Sequence, residues 1–184
     1  MRRVAQFFRA VAAQRGLRED EVRWVQEHLS TGEEALFWQM SPIDQKHAVE
    51  VSRRAAALAK THGLTSPREL RVLIRAGLLH DIGKIGGDVT LWQRVAIVLV
   101  QRLSPKLARA LAERGKEDLV RGFARSSWGA RWRRAFYTQS VHAERGAAMA
   151  KMWGVEEEVL QLIRWHHQPQ RGGRLLQLLS QADG

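Results

Sequence analysis

Imidazole and carboxylate side chains recur along this chain in a spaced series: His47, the adjacent pair His80-Asp81, His142, the pair His166-His167, and Asp183. Five of the seven histidines belong to it. These are the side chains that hold first-row transition metals. If they serve one centre, the fold must bring together residues 136 positions apart in sequence, between His47 and Asp183. A single inward histidine is ordinarily a hydrogen-bonded core residue. Five, with two aspartates on core-facing segments, argue instead for a metal-dependent enzyme.

The local pattern is helical. Ser41-Pro42-Ile43-Asp44 and Ser66-Pro67-Arg68-Glu69 have the spacing of a capping box with proline in the first helical position, and Thr31-Gly32-Glu33-Glu34 has the same spacing. Gly63 and Gly154 stand where helices ending near His62 and Trp153 need a left-handed residue. No sustained alternation and no Asn-Gly or Asp-Gly hairpin turn joining two alternating segments is found, so strands are not expected. The fold class predicted is all-α, with helices near 2–15, 19–29, 32–40, 42–62, 67–80, 90–102, 105–114, 117–125, 139–153, 155–167 and 173–182.

Placed on these helices, the series turns toward the core. His47 shares a side with Val51, Ala55 and Leu58. His80-Asp81 follows the apolar positions Leu70, Leu73, Ile74 and Leu78, and Gly83 and Gly86-Gly87 end that helix. His142 is expected to open a helix and His166 to end one, while Asp183 closes a helix carrying Leu175, Leu176, Leu178 and Leu179. Helical bundles build metal sites in this way, from inward side chains on facing helices.

At 184 residues the chain is long enough for one cored domain, 1–184, with N-terminal helices over 1–40. It has no cysteine, which excludes disulfides, thiolate zinc sites and iron–sulfur clusters and fits a reducing, cytoplasmic setting. No leader pattern and no run of roughly 18 apolar residues is present, so a spanning helix is not expected. The net charge of +11 is uneven: between Gly86 and Thr138 there are eleven basic residues and four acidic ones. This basic excursion, 86–138, favours an anionic partner such as a nucleotide or an acidic lipid surface.

Within the excursion, residues 91–103 are apolar with arginines at both ends. The segment reads either as a helix packed over the core or at a dimer seam, or as a peripheral membrane contact. The thin polar face favours packing. Trp128, Trp132, Phe136 and Tyr137 interleave with Arg125, Arg131, Arg133 and Arg134, a mixture suited to a lid over a nucleotide. With no nucleic-acid module recognised, strand binding is disfavoured.

The segment Gly77-Leu78-Leu79-His80-Asp81-Ile82-Gly83-Lys84-Ile85, with the flanking histidines and the closing aspartate in order, resembles the HD-domain superfamily of metal-dependent phosphohydrolases, in its His-Asp-Ile-Gly-Lys group. The resemblance covers about residues 42 to 184. It implies a helical bundle around a buried site for one or two divalent metals, iron or manganese first, with nickel, cobalt or magnesium also used in the family. His47, His80, Asp81 and Asp183 match ligands of the first metal, with Asp81 at the bridging position. His142 and His166 match ligands of a second, and His167 has a counterpart in only some members. Lys84 matches the lysine that reaches the scissile phosphate, and Arg131, Arg133 and Arg134 are candidates to assist it.

The activity implied is hydrolysis of a phosphomonoester or phosphodiester, of a nucleotide or small phosphoester, by a metal-activated water. A di-iron oxygenase and a non-catalytic metal-binding regulatory module are the alternatives the same ligand set allows. Two departures narrow the substrate. Gln168-Pro169-Gln170-Arg171-Gly172-Gly173 follows the paired histidines where the cyclic di-GMP branch has Gly-Tyr-Pro, and Lys84-Ile85 stands near where the alarmone hydrolases have an acidic pair.

Overall fold

A computed structural model of the chain describes residues 16–85, 91–120 and 127–184, apart from the side chains of residues 91, 92, 94, 95 and 98. The helix expected over 2–15, the glycine pair Gly86-Gly87 and Arg125 lie outside the described residues. Among those described there are nine α-helices and no strand, as the all-α expectation requires. They are α1 Glu19–His28, α2 Thr31–Phe37, α3 Pro42–Thr61, α4 Pro67–Leu79, α5 Leu91–Leu103, α6 Pro105–Val120, α7 Trp128–Met152, α8 Glu157–Trp165 and α9 Arg174–Asp183. Short 3-10 turns occupy Ile82–Lys84 and Pro169–Arg171.

The chain forms two compact units, one from Met1–Ile82 with Ala143–Gly184 and one from Gly83–His142. In the first, α3 buries a stripe of small residues: Ala48, Val49, Val51, Ser52, Ala55, Ala56 and Ala59. Small side chains let a neighbouring backbone come close, and α4 exploits this at Gly77. A Cβ there would lie 2.8 Å from the Ser52 Cα. Ser52 is held in place by accepting from Trp24 Nε1 at 2.9 Å and donating to the Val49 carbonyl at 2.8 Å. On either side of Gly77, α4 buries Val72, Leu73, Ile74, Leu78 and Leu79. Each such side chain contributes about 1.5–3 kcal/mol of burial.

Capping fixes where these helices start and stop. Ser41 accepts from the Asp44 N–H at 3.2 Å and Ser66 from that of Glu69 at 3.3 Å. The box expected at Thr31 sits one residue earlier. Ser30 is the cap, its N–H donating to Glu33 Oε2 at 2.9 Å. Glu33 is buried, and Arg75 of α4 offsets its charge with Nε at 3.0 Å and Nη2 at 2.7 Å. Gly63 and Gly154 take φ of +68 and +75. Leu64 N–H reaches the Ala59 carbonyl and Gly63 N–H that of Lys60, a Schellman ending that Val155 and Gly154 repeat after α7.

In the second unit Ile97, Ala108, Ala112, Ala135 and Phe136 form a small core between α5, α6 and the start of α7. A Cβ on Gly115 would fall 2.1 Å from the Arg133 carbonyl oxygen, so glycine is the residue that lets α6 and α7 touch. That packing explains two departures from expectation. Helix α6 runs unbroken through Gly115 to Val120, so the separate helices expected at 105–114 and 117–125 are one as far as Val120, and 121–126 are outside the description. Helix α7 begins at Trp128, eleven residues before the expected start at 139. Ser127 caps it, accepting from the Ala130 N–H at 3.1 Å.

Candidate metal centre

His80 is the C-cap of α4, His166 the C-cap of α8, and Asp183 the last residue of α9. All three lie in the first unit. A helix C-terminus carries partial negative charge from its unpaired carbonyls, so three such ends favour a cation among these residues. Asp81 follows His80 directly, and both are 1% exposed. His166 is fully buried and stands edge-on to His80, ring centroids 5.1 Å apart. His47 stacks edge-on to His80 from the other helix, at 5.3 Å. Its side chain is 40% exposed, which corrects the expectation of a fully inward residue. The buried stripe of α3 runs along Ala48, Val51 and Ala55, and His47 sits at its rim.

The same bond orients each buried histidine. His80 Nδ1 donates to the Gly77 carbonyl at 2.9 Å, His166 Nδ1 to that of Ile163 at 2.7 Å, and His142 Nδ1 to that of Gln139 at 2.6 Å. In every case the acceptor lies three residues back. A neutral imidazole that donates through Nδ1 presents its lone pair at Nε2, the form a metal accepts, and a carbonyl partner of this kind fixes ring orientation. These carbonyls have no sequence signal beyond helical spacing, and sequence reasoning did not find them.

His47, His80 and Asp183 offer ligand atoms that all lie within 4.8 Å of one another. His47 Nε2 donates to Asp183 Oδ1 at 3.0 Å. His80 Nε2 faces Asp183 Oδ1 at 3.3 Å and Asp81 Oδ2 at 3.5 Å. In the neutral ring this pits a lone pair against two carboxylate oxygens. The arrangement is favourable only with positive charge there, either a proton on Nε2 or a cation shared by the three groups. Ligands about 2.1 Å from one ion lie about 3.0–3.4 Å apart in common geometries, close to these spacings. Burial also disfavours the carboxylate charge of Asp81 and Asp183 unless something compensates it. The donor set therefore fits a divalent transition metal.

Asp183 shows the electrostatics directly. Burial pushes its carboxyl up, but hydrogen bonds from His47 and His80 and the nearby charge of His80 and His166 outweigh that, holding it well below the usual carboxylate range. His167 is half exposed, its Nδ1 3.8 Å from Asp183 Oδ2 and its ring 3.9 Å from that of His166.

The remaining expected residues belong to the second unit. His142 is buried in the middle of α7 rather than opening a helix, because α7 starts at Trp128. Lys84 ends the 3-10 turn three residues after Asp81 and is half-buried. Arg131 is exposed and Arg134 half-buried. Arg133 Nε donates to Asp118 Oδ2 at 2.6 Å, an attachment that raises the guanidinium pKa.

No curated protein and no solved structure matches the chain. A family model does: the HD domain matches residues 45–183, a span that contains the whole series from His47 to Asp183, and the chain belongs to the HD-domain family.

Proposed function

We propose that this protein is a metal-dependent phosphohydrolase acting on a nucleotide or another small phosphoester. The observation that carries the reading is His80 Nε2 set against oxygens of both Asp81 and Asp183, an arrangement that a shared cation would satisfy. His47, His80, Asp81 and Asp183 would hold the first metal. A divalent metal in such a site supplies a Lewis acid that lowers the pKa of water and offsets charge on phosphoryl oxygens. Iron or manganese suits the imidazole-rich donor set better than magnesium.

The residues of the chain then divide the work. Imidazoles held by backbone carbonyls keep the ligand geometry without reorganisation. By family resemblance Asp81 would be the shared ligand. By the same resemblance His142 and His166 would be ligands of a second metal, with His167 as a further candidate. Lys84 would neutralise charge as water attacks phosphorus and the P–O bond to the leaving group breaks. Lys84 is also what favours phosphate over an uncharged carbon substrate. Arg131, Arg133 and Arg134 remain candidates for substrate contact, with Arg133 the least available while it holds Asp118.

A panel of nucleotides and phosphodiesters, assayed with added manganese, tests the reading. Phosphate or nucleoside monophosphate release that disappears in Asp81→Ala is expected. Release that survives that substitution, or metal-free protein after purification without chelators, would overturn it.

A further inference from the structure

Within the second unit, α5 and α6 meet at a turn capped by Ser104, whose Oγ accepts from the Leu107 N–H at 3.4 Å. The inner side of this hairpin is satisfied: Ile97 and Ala108 are buried, and Val100 and Leu111 pack against them. The outer side is not. Leu99 and Leu103, one helical turn apart on α5, are 53% and 85% exposed, and Leu107 in the first turn of α6 is 51% exposed. An apolar residue left singly on a surface needs no explanation, but three at one turn form a patch.

The charge around that patch has one sign. Arg102, Lys106 and Arg109 are exposed between and beside the leucines. From Val89 to Ala112 the sequence contains no acidic residue. No helix among the described residues is long and apolar enough to cross a membrane. Leucines flanked by cations on a short hairpin suit the interfacial layer of a bilayer, where apolar side chains enter the acyl boundary and cations meet anionic headgroups. A second copy is a poorer occupant. It would bring Arg102, Lys106 and Arg109 against a surface of the same charge, and like-charge juxtaposition is costly.

We propose that the α5–α6 turn, through Leu99, Leu103 and Leu107 with Arg102, Lys106 and Arg109, is a peripheral docking site for acidic lipid surfaces. The turn joins the two chemistries a membrane interface needs. Neither the ligand series nor the hydrolytic reading is required for it.

Sedimentation of the full chain with vesicles tests the proposal. Binding is expected to vesicles of equimolar phosphatidylcholine and phosphatidylglycerol, not to phosphatidylcholine alone, and to weaken at high salt. At roughly fivefold per cation, neutralising Arg102, Lys106 and Arg109 to glutamine should weaken binding about a hundredfold. Leu103→Glu, at a position too exposed to affect folding, should weaken it about tenfold, since it removes apolar contact and adds repulsion. Helical content by circular dichroism confirms that both variants are folded. Failure of the unaltered chain to bind acidic vesicles overturns the proposal, as does equal binding by the variants. So does lipid-independent dimerisation abolished by Leu103→Glu, which would assign the patch to a second copy.

Discussion

At Asp183 two opposing effects act on one carboxyl, and the winner decides how the centre responds to acid. Burial favours the neutral form, while His47, His80 and His166 favour the charged one and prevail. A carboxyl whose folded pKa is depressed adds stability above its unfolded value, near 4, that is lost only as pH falls through the depressed value. Asp183 therefore stays ionised across the whole range in which metal would bind. The acid limit must come from the nitrogen ligands, because a metal competes with protons for imidazole. Manganese affinity measured by calorimetry should therefore fall with falling pH while Asp183 is still ionised, well before the carboxylate range is reached. A profile falling only near pH 4 would mean that carboxylates alone hold the ion. The residues behind this behaviour were legible in the sequence, since imidazole and carboxylate announce themselves by type. The carbonyls of Gly77 and Ile163 were not, because any residue in the last turn of a helix supplies one.

The centre is only as exact as the contact between α3, which carries His47, and α4, which ends in His80. That contact turns on Gly77, where an added Cβ would sit 2.8 Å from Ser52 Cα and 3.1 Å from Ser52 N. Both are backbone atoms, which cannot rotate aside, so the helices must separate. Gly77→Ala should cost about 1–3 kcal/mol in stability through overpacking, despite the better helix propensity of alanine. It should also weaken metal binding, because His47 and His80 lie on the two helices being parted. Gly63→Ala is the control. At φ +68 it should destabilise by roughly 1 kcal/mol and leave metal affinity unchanged. Comparable metal affinity in both variants would show that the α3–α4 spacing does not set the site. Helix identity was largely readable from caps and spacing at this scale, but several boundaries were not. The cap of α2 moved from Thr31 to Ser30 because Glu33 closes the box there, and α7 reached back to Trp128 because its first turns pack against Gly115. The second outcome depends on a partner distant in sequence; the first turns on which of two overlapping boxes closes, and Arg75 of α4 holds the Glu33 carboxylate that closes it.

Across the whole molecule, the basic excursion and the ligand series were visible as patterns of charge and residue type, whereas which leucines stay exposed depends on packing that no local pattern states. The division of the chain places His47, His80, Asp81, His166 and Asp183 in one unit, contributed by segments on both sides of Gly83–His142. A ligand that binds the folded state alone stabilises it by RT ln(1 + [L]/Kd), about 2.7 kcal/mol at a hundredfold excess over Kd. An ion bound by residues as far apart in sequence as His47 and Asp183 meets that condition well, because the unfolded chain cannot hold these ligands together. Adding manganese to chelator-treated protein should therefore raise the unfolding midpoint by several degrees, as about 2.7 kcal/mol does for a domain of this size. In Asp81→Ala the metal-dependent rise should shrink or vanish. Relieving the buried carboxylate should at the same time leave the chelated variant at least as stable as the chelated parent. That combination, unchanged stability without metal and a lost increment with it, separates a ligand from a structural residue. An equal rise in parent and variant would place the bound ion elsewhere on the molecule.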